Sequence, residues 1–189
     1  MGSIWLITGG VRSGKSRLAA QLASASGLAV TYIATAEAGD EEMVARIASH
    51  REERPSGWTT IEEPLDLAGA VRGVEAGCVL IDCLTVWASN RLYPEWPSEP
   101  PPADEVAAAQ GALLEAVEQT IAVLAKREGR AIVVTNEVGS GIIPGDARLR
   151  AYQDALGAVN AAMAEASERV YLCVAGLSLE LKGLGGGRR

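Results

Sequence analysis

The chain is short of the residues that mark several protein classes. It has three cysteines in 189 residues, Cys78, Cys83 and Cys173. They show no metal-ligand spacing and make no even disulfide framework. Two of them lie in apolar runs, where a thiol acts as a small hydrophobe, so a structural role in a reducing compartment is expected for all three. Positive charge is in deficit, with 17 Lys and Arg against 24 Asp and Glu and a net charge of −7. That balance argues against a nucleic-acid partner, which usually meets a basic face, but leaves an anionic small ligand open. No run approaches the roughly 20 apolar residues of a membrane-spanning helix. The N-terminus, MGSIWLITGG, lacks the basic leader and long apolar stretch of a signal peptide, so a cytoplasmic location is expected. Histidine occurs once, at position 50.

What is present describes an ordinary globular chain, 48% apolar and 22% charged. Its length favours one domain, residues 1–189, with a proper core. Short apolar runs at 4–8, 29–34, 78–82, 131–135 and 170–174 read as strands covered on both faces, as in a parallel sheet. A shorter strand is expected at 178–181. Helical periodicity appears at 16–24, 41–53, 104–126 and 147–165. The long segment 104–126 carries Val106, Leu113, Val117, Ile121 and Leu124 on one stripe; Leu149, Tyr152, Leu156, Val159 and Met163 do the same in the last. Alternating strands and helices predict an α/β fold with crossover connections. Residues 94–102 hold five prolines in nine and read as a surface loop; the glycine-rich, basic tail 183–189 reads as flexible.

Gly9-Gly10-Val11-Arg12-Ser13-Gly14-Lys15-Ser16 fits the pattern G-x-x-x-x-G-K-[ST] at every fixed position, between a strand and a helix. Glycines let the backbone turn its N–H groups onto phosphate oxygens at the positive end of a helix. In such a P-loop, Lys15 reaches the β- and γ-phosphates and the Ser16 hydroxyl is suited to Mg2+. The bland alternative, a chance glycine turn, does not account for strand and helix both being in place. Asp82 closes an apolar strand in the manner of a Walker-B carboxylate, although many strands end in Asp as a turn residue.

His50 allows two readings. One is a helix-end histidine favoured by the negative end of the dipole. The other is a nucleophile that attacks phosphorus, with Arg46, Arg51 and Arg54 neutralising phosphate charge. Those arginines could equally form a solvated face paired with Glu42, Glu52 and Glu53, and spacing alone does not decide.

A wider pattern does. It runs from the loop Gly9 to Ser16 through Tyr32-Ile33-Ala34-Thr35-Ala36, Arg46-Ile47, His50-Arg51, Arg54-Pro55, Trp58 and Glu62. It continues through Leu80-Ile81-Asp82-Cys83-Leu84-Thr85 and Asn90, then the especially specific Val134-Thr135-Asn136-Glu137-Val138-Gly139-Ser140-Gly141-Ile142-Ile143-Pro144. Arg148, Tyr152, Asp154, Gly157, Asn160 and Val174-Ala175-Gly176 follow. In these segments, over nearly its full length, the chain resembles the bifunctional adenosylcobinamide kinase / adenosylcobinamide-phosphate guanylyltransferase family.

The resemblance implies a P-loop NTPase with a RecA-like, mostly parallel sheet. It implies two reactions: phosphorylation of adenosylcobinamide with ATP or GTP, then transfer of GMP from GTP to adenosylcobinamide phosphate through a guanylylated His50. It places nucleotide contacts at Gly9, Gly10, Val11, Arg12, Ser13, Gly14, Lys15 and Ser16, at Ala34, Thr35 and Ala36, at Arg51, Glu52, Glu53 and Arg54, and at Glu62 and Asp82. Lys15 is catalytic, and Ser16 and Asp82 serve Mg2+, directly or through water. The family often has Glu where Asp82 stands, a swap that keeps the carboxylate and shortens its reach. A homo-oligomer, a trimer in the enterobacterial type, is also implied. A simple P-loop kinase of a small alcohol would share Lys15 and Ser16 but have no use for His50. A non-catalytic nucleotide-binding module would have none for the His50 segment.

Overall fold

A computed structural model describes residues 2–37, 39, 41–52, 54–94 and 102–184, without the side chains of residues 42, 43, 46, 49 and 50. Glu53, most of the proline-rich loop (95–101) and the end of the tail (185–189) lie outside the described residues.

The strands are β1 (Ser3–Gly9), β2 (Val30–Ala34), β3 (Thr59–Glu62), β4 (Gly77–Asp82), β5 (Gly129–Val134), β6 (Arg169–Val174) and β7 (Leu177–Glu180). The helices are α1 (Lys15–Ser24), α2 (Glu41–Glu52), α3 (Leu67–Arg72), α4 (Leu84–Leu92), α5 (Ala103–Lys126) and α6 (Ala147–Ala166). The strands form one seven-stranded sheet in the order β3-β2-β4-β5-β1-β6-β7. All pairings are parallel except β6 with β7. A 3-10 turn at Lys182–Leu184 covers the first two residues of the stretch 183–189 that was expected to be flexible.

The apolar runs are continuous because successive side chains of a strand face opposite sides, and both sides are covered here. Leu6, Val79, Ile81, Ala131 and Val133 pack against α3, α4, α5 and α6, where Trp87, Leu113, Val117, Leu156 and Met163 are fully buried. Their neighbours Ile7, Cys78, Leu80, Ile132 and Val134 face the other side, which α1 covers with Ala19 and Ala23. Small residues on α1 let the helix lie close to the sheet, and the loop before it is held there.

The core stripe of α5 is as expected. On α6 it begins with Ala151, and Leu149 is exposed, because the first turn serves as a cap: the Asp146 carboxylate accepts from the N–H groups of Arg148 (2.7 Å) and Leu149 (3.1 Å). Three elements had no sequence expectation: β3, α3 and α4. Strand β3 is a short, mostly exposed edge with the sequence TTIE. Among the described residues no helix is long and apolar enough to cross a membrane.

Candidate active site

Loops leaving the C-terminal ends of β1, β2, β4 and β5 surround a cavity of about 680 Å³. That is the usual position for ligands in an open α/β sheet, and the usual size for one small-molecule site. Val11 to Ser16, in the loop that begins at Gly9, form its floor. Gly9 (φ 150°) closes β1, and a Cβ there would lie 2.2 Å from the Cys173 carbonyl oxygen, so only glycine fits between β1 and β6. Gly14 is left-handed (φ 99°) and starts α1 without a side-chain cap. The first amides of α1 are therefore left without an internal partner beside the cavity, as anion binding requires.

Lys15 is buried and bends back along the loop, donating to the Gly10 carbonyl at 2.6 Å. Burial lowers its pKa from the ordinary lysine value, opposed by the nearby Asp82 carboxylate. A phosphate arriving in the cavity would replace that carbonyl and restore the preference for the charged form. The loop is braced from β6–β7, where the Gly176 N–H donates to the Ser13 carbonyl (3.0 Å), and from β5, where the Glu137 N–H donates to the Gly9 carbonyl (3.1 Å).

Across the cavity stand Ala34 and Ala36 after β2, Arg51 on α2, Arg54, Glu62 at the end of β3, and Asp82 at the end of β4. Arg51 forms an ion pair with Glu62. The Arg54 guanidinium lies 3.7 Å from the centre of the Tyr32 ring, and the Tyr32 hydroxyl donates to Asp82 Oδ2 at 2.9 Å. Burial, with the Asp82 charge, raises the Tyr32 pKa, so it remains a donor across the working pH range. The described arginines thus point into the cavity region, one paired with a strand carboxylate and one stacked on a tyrosine.

The cavity wall includes Val11, Arg12, Ser13, Gly14, Lys15 and Ser16; Gly9 and Gly10 are not in it and shape the loop from behind. Thr35 is fully buried, not in the wall. Its hydroxyl accepts from the Cys83 N–H (2.8 Å) and donates to the Cys83 carbonyl (2.9 Å), fixing the β4–α4 junction, where the Asp82–Cys83 peptide is cis. Glu52 is exposed and outside the wall. The His50 side chain lies outside the described residues; its backbone is on α2, one position before Arg51 and three after Ile47, both of which line the cavity.

Sequence reading assigned no site role to Tyr32, Asn136, Ala175 or Gly176, which line the cavity, nor one to Cys83 beyond filling space. The signal was present, because all five fall within the segments that carry the family resemblance. Burial and the Asp82 charge push the Cys83 thiol up to about 11, so it stays neutral in the wall.

Comparison with known proteins agrees with this geometry. The sequence profile of the family described as "Cobinamide kinase / cobinamide phosphate guanyltransferase" matches residues 5–181. Over 180 residues the chain is 49% identical to the "Bifunctional adenosylcobalamin biosynthesis protein CobP" of Pseudomonas aeruginosa, covering 94% of this chain and 96% of that protein. It is 35% identical over 179 residues to the "Bifunctional adenosylcobalamin biosynthesis protein CobU" of Salmonella typhimurium, covering 94% and 98%. Among solved structures, a prototypical ATPase from a type III secretion system aligns with a TM-score of 0.52 at 12% identity, over 95% of this chain and 58% of that one. That likeness is one of fold alone, a mostly parallel sheet flanked by helices. The chain belongs to the cobinamide kinase / cobinamide phosphate guanyltransferase family.

Proposed function

We propose that this one cavity hosts both transfers for which the family is named. In the first, the γ-phosphoryl group of ATP or GTP passes to the hydroxyl on the aminopropanol arm of adenosylcobinamide. This step needs positioning and charge neutralisation more than covalent chemistry. Lys15 and the amides at the start of α1 hold the phosphates. In the second, an imidazole nitrogen of His50 attacks the α-phosphorus of GTP; the N–P bond forms, the bond to the bridging oxygen breaks, and pyrophosphate leaves. A phosphate oxygen of adenosylcobinamide phosphate then attacks the same phosphorus, the N–P bond breaks, and adenosylcobinamide-GDP results. Arg51 and Arg54 stabilise the charge that moves during this exchange.

The single observation that carries the reading is the pairing of an uncapped P-loop helix with two arginines of the His50 segment on opposite walls of one cavity. Multiple-turnover pyrophosphate release from GTP, dependent on adenosylcobinamide phosphate, is the direct test; a simple alcohol kinase would release none. The whole chain, residues 1–189, acts in this reading as one cytoplasmic catalytic unit within a homo-oligomer, a trimer by family resemblance, which light scattering would count.

The Ser16 hydroxyl and the Asp82 carboxylate line the same cavity, and hard oxygen donors around a phosphate site suit Mg2+. Among the described residues no cluster of three or more His, Cys, Asp or Glu could hold a metal, so most of its shell would be water and nucleotide oxygens. Mg2+ bound there would neutralise phosphate charge. Tyr32 spends its hydroxyl on Asp82 Oδ2 and so orients that carboxylate. Tyr32→Phe keeps the ring under Arg54 and removes only the donor. It is expected to raise the Mg2+ concentration for half-maximal nucleotide binding by about tenfold, with thermal stability little changed. Nucleotide binding titrated with Mg2+ by calorimetry reads this directly.

The described side chains of α2 are exposed apart from Ile47, which is half-buried; even Val44 is out in solvent. Among its described residues α2 has little apolar contact to hold it, and a helix so held opens at small cost. We expect α2 to move toward the loop when GTP binds, bringing His50 within about 3–3.5 Å of the α-phosphorus. Limited proteolysis within residues 41–53 should slow by several-fold on adding GTP, and equal rates with and without nucleotide would contradict the movement.

A further inference from the structure

The motif that the chemistry above leaves unused is the run after β5. Asn136 is in the cavity wall, and the chain then leaves the end of the sheet. Both ends of the loop are fastened. Gln153 donates to the Val138 carbonyl (2.8 Å), and Arg150 donates to the carbonyls of Pro144 (2.8 Å) and Gly145 (2.6 Å). Between these anchors the tip stands out with Ile142 94% and Ile143 78% exposed. Two adjacent branched apolar side chains displayed in this way, on a loop secured from behind, form a surface that calls for a ligand or a partner.

The tip is not alone. The loop after β1 exposes Val11, and the β6–β7 hairpin exposes Val174 and Leu177 around the turn Ala175-Gly176. β5, β1 and β6 are consecutive in the sheet, so these apolar residues follow one side of the cavity mouth. Val11, Ala175 and Gly176 belong to the wall itself, which makes the strip continuous with the site. The opposite side, above β2 and β3, carries Arg51, Arg54 and Glu62 and is charged. Arg12 and Arg17 also line the cavity beside Val11 and Gly176, Arg17 donating to the Gly176 carbonyl at 3.5 Å, so the mouth has one ionic edge and one mainly apolar edge that carries two arginines at the wall.

Granted the cobinamide reading of the cavity, on which this inference rests, we propose that the apolar edge, centred on Ile142 and Ile143, is where the corrin macrocycle docks. A cavity of about 680 Å³ takes one ligand of ordinary size, and the nucleotide occupies it. The corrin ring must then lie outside, close enough for its aminopropanol arm to reach in. Its edge is rich in methyl groups, which gain by covering branched aliphatic side chains and gain nothing over arginines. Continuity with the wall favours this occupant over a second copy of the chain, which would cover the mouth that the substrate must enter.

The test is the double variant Ile142→Ser with Ile143→Ser, compared with Ile142→Leu with Ile143→Leu. Both side chains are solvent-exposed, so folding is not at stake. The serine variant should label itself with α-labelled GTP as the unaltered chain does, since that half-reaction needs no corrinoid. Its KM for adenosylcobinamide phosphate should rise about tenfold or more, while the leucine variant stays within about threefold of the unaltered chain. An unchanged KM in the serine variant overturns the proposal. So does a change of molecular mass by light scattering together with an equal loss of self-labelling, which assigns the strip to a neighbouring copy. If the unaltered chain itself takes no label, the guanylyl-transfer reading has failed instead. Equilibrium dialysis with adenosylcobinamide then decides the docking claim, which stands if binding weakens in the serine variant only and falls if the two variants bind alike.

Discussion

His50→Ala should lower guanylyl transfer from GTP to adenosylcobinamide phosphate by about 10³-fold or more, while phosphorylation of adenosylcobinamide stays within about threefold of normal. The split follows from the roles of the two walls. In the proposed mechanism the first reaction is a direct displacement at the γ-phosphorus, served by the loop and Lys15. The second has been divided into two displacements at the α-phosphorus, and without the imidazole there is no intermediate to divide it. A helix-end histidine that only helped to stabilise α2 would leave a different trace. Both activities would fall modestly and together, along with thermal stability. Measuring both rates on one preparation, beside its melting temperature, separates the two cases.

Lys15→Ala should depress both reactions, each by about 10²–10³-fold, because it removes the one buried cation of the loop wherever a phosphate sits. The fold should survive. The lysine sits at the start of α1 in contact with loop carbonyl and hydroxyl groups, not in the apolar core, and its desolvation works against its charged form in the free protein. Removing it relieves that burial penalty, so the variant should melt no earlier than the unaltered chain. Nucleotide affinity by calorimetry and melting by scanning calorimetry should therefore move in opposite directions or independently. A variant that lost stability and activity in parallel would show that Lys15 supports the fold instead.

Some of this was legible in the sequence and some was not, for physical reasons. The loop could be read in full because each position answers to a local demand: Gly9 must pass the Cys173 carbonyl, Gly14 must turn left-handed, and Lys15 must follow it. The central strands could be read because burial on two faces makes their composition uniform. Strand β3 could not, since an exposed edge with the sequence TTIE has no apolar run to detect. Helix α4 was hidden because only nine residues form it and polar ones interrupt them; it is fastened by a tertiary contact, the Trp87 indole N–H donating to the Leu65 carbonyl at 2.9 Å. Thr35 was expected among the nucleotide contacts, yet its hydroxyl is consumed by the Cys83 backbone, a pairing across 48 positions that no local pattern signals. The Tyr32 bridge between Arg54 and Asp82 is hidden for the same reason. His50 is the opposite case: spacing left its role open, and the family resemblance supplied the nucleophile.

The central claim is that the chain carries a nucleotide covalently between two substrates. A single-turnover chase tests it most directly. The chain is loaded with α-labelled GTP, freed of excess nucleotide, and mixed with adenosylcobinamide phosphate. The account predicts acid-labile, alkali-stable label in the peptide containing His50, all of which passes to adenosylcobinamide-GDP at least as fast as steady-state turnover. Product formed at the normal rate by a chain that never holds label, or label that the chase leaves in place, would contradict it.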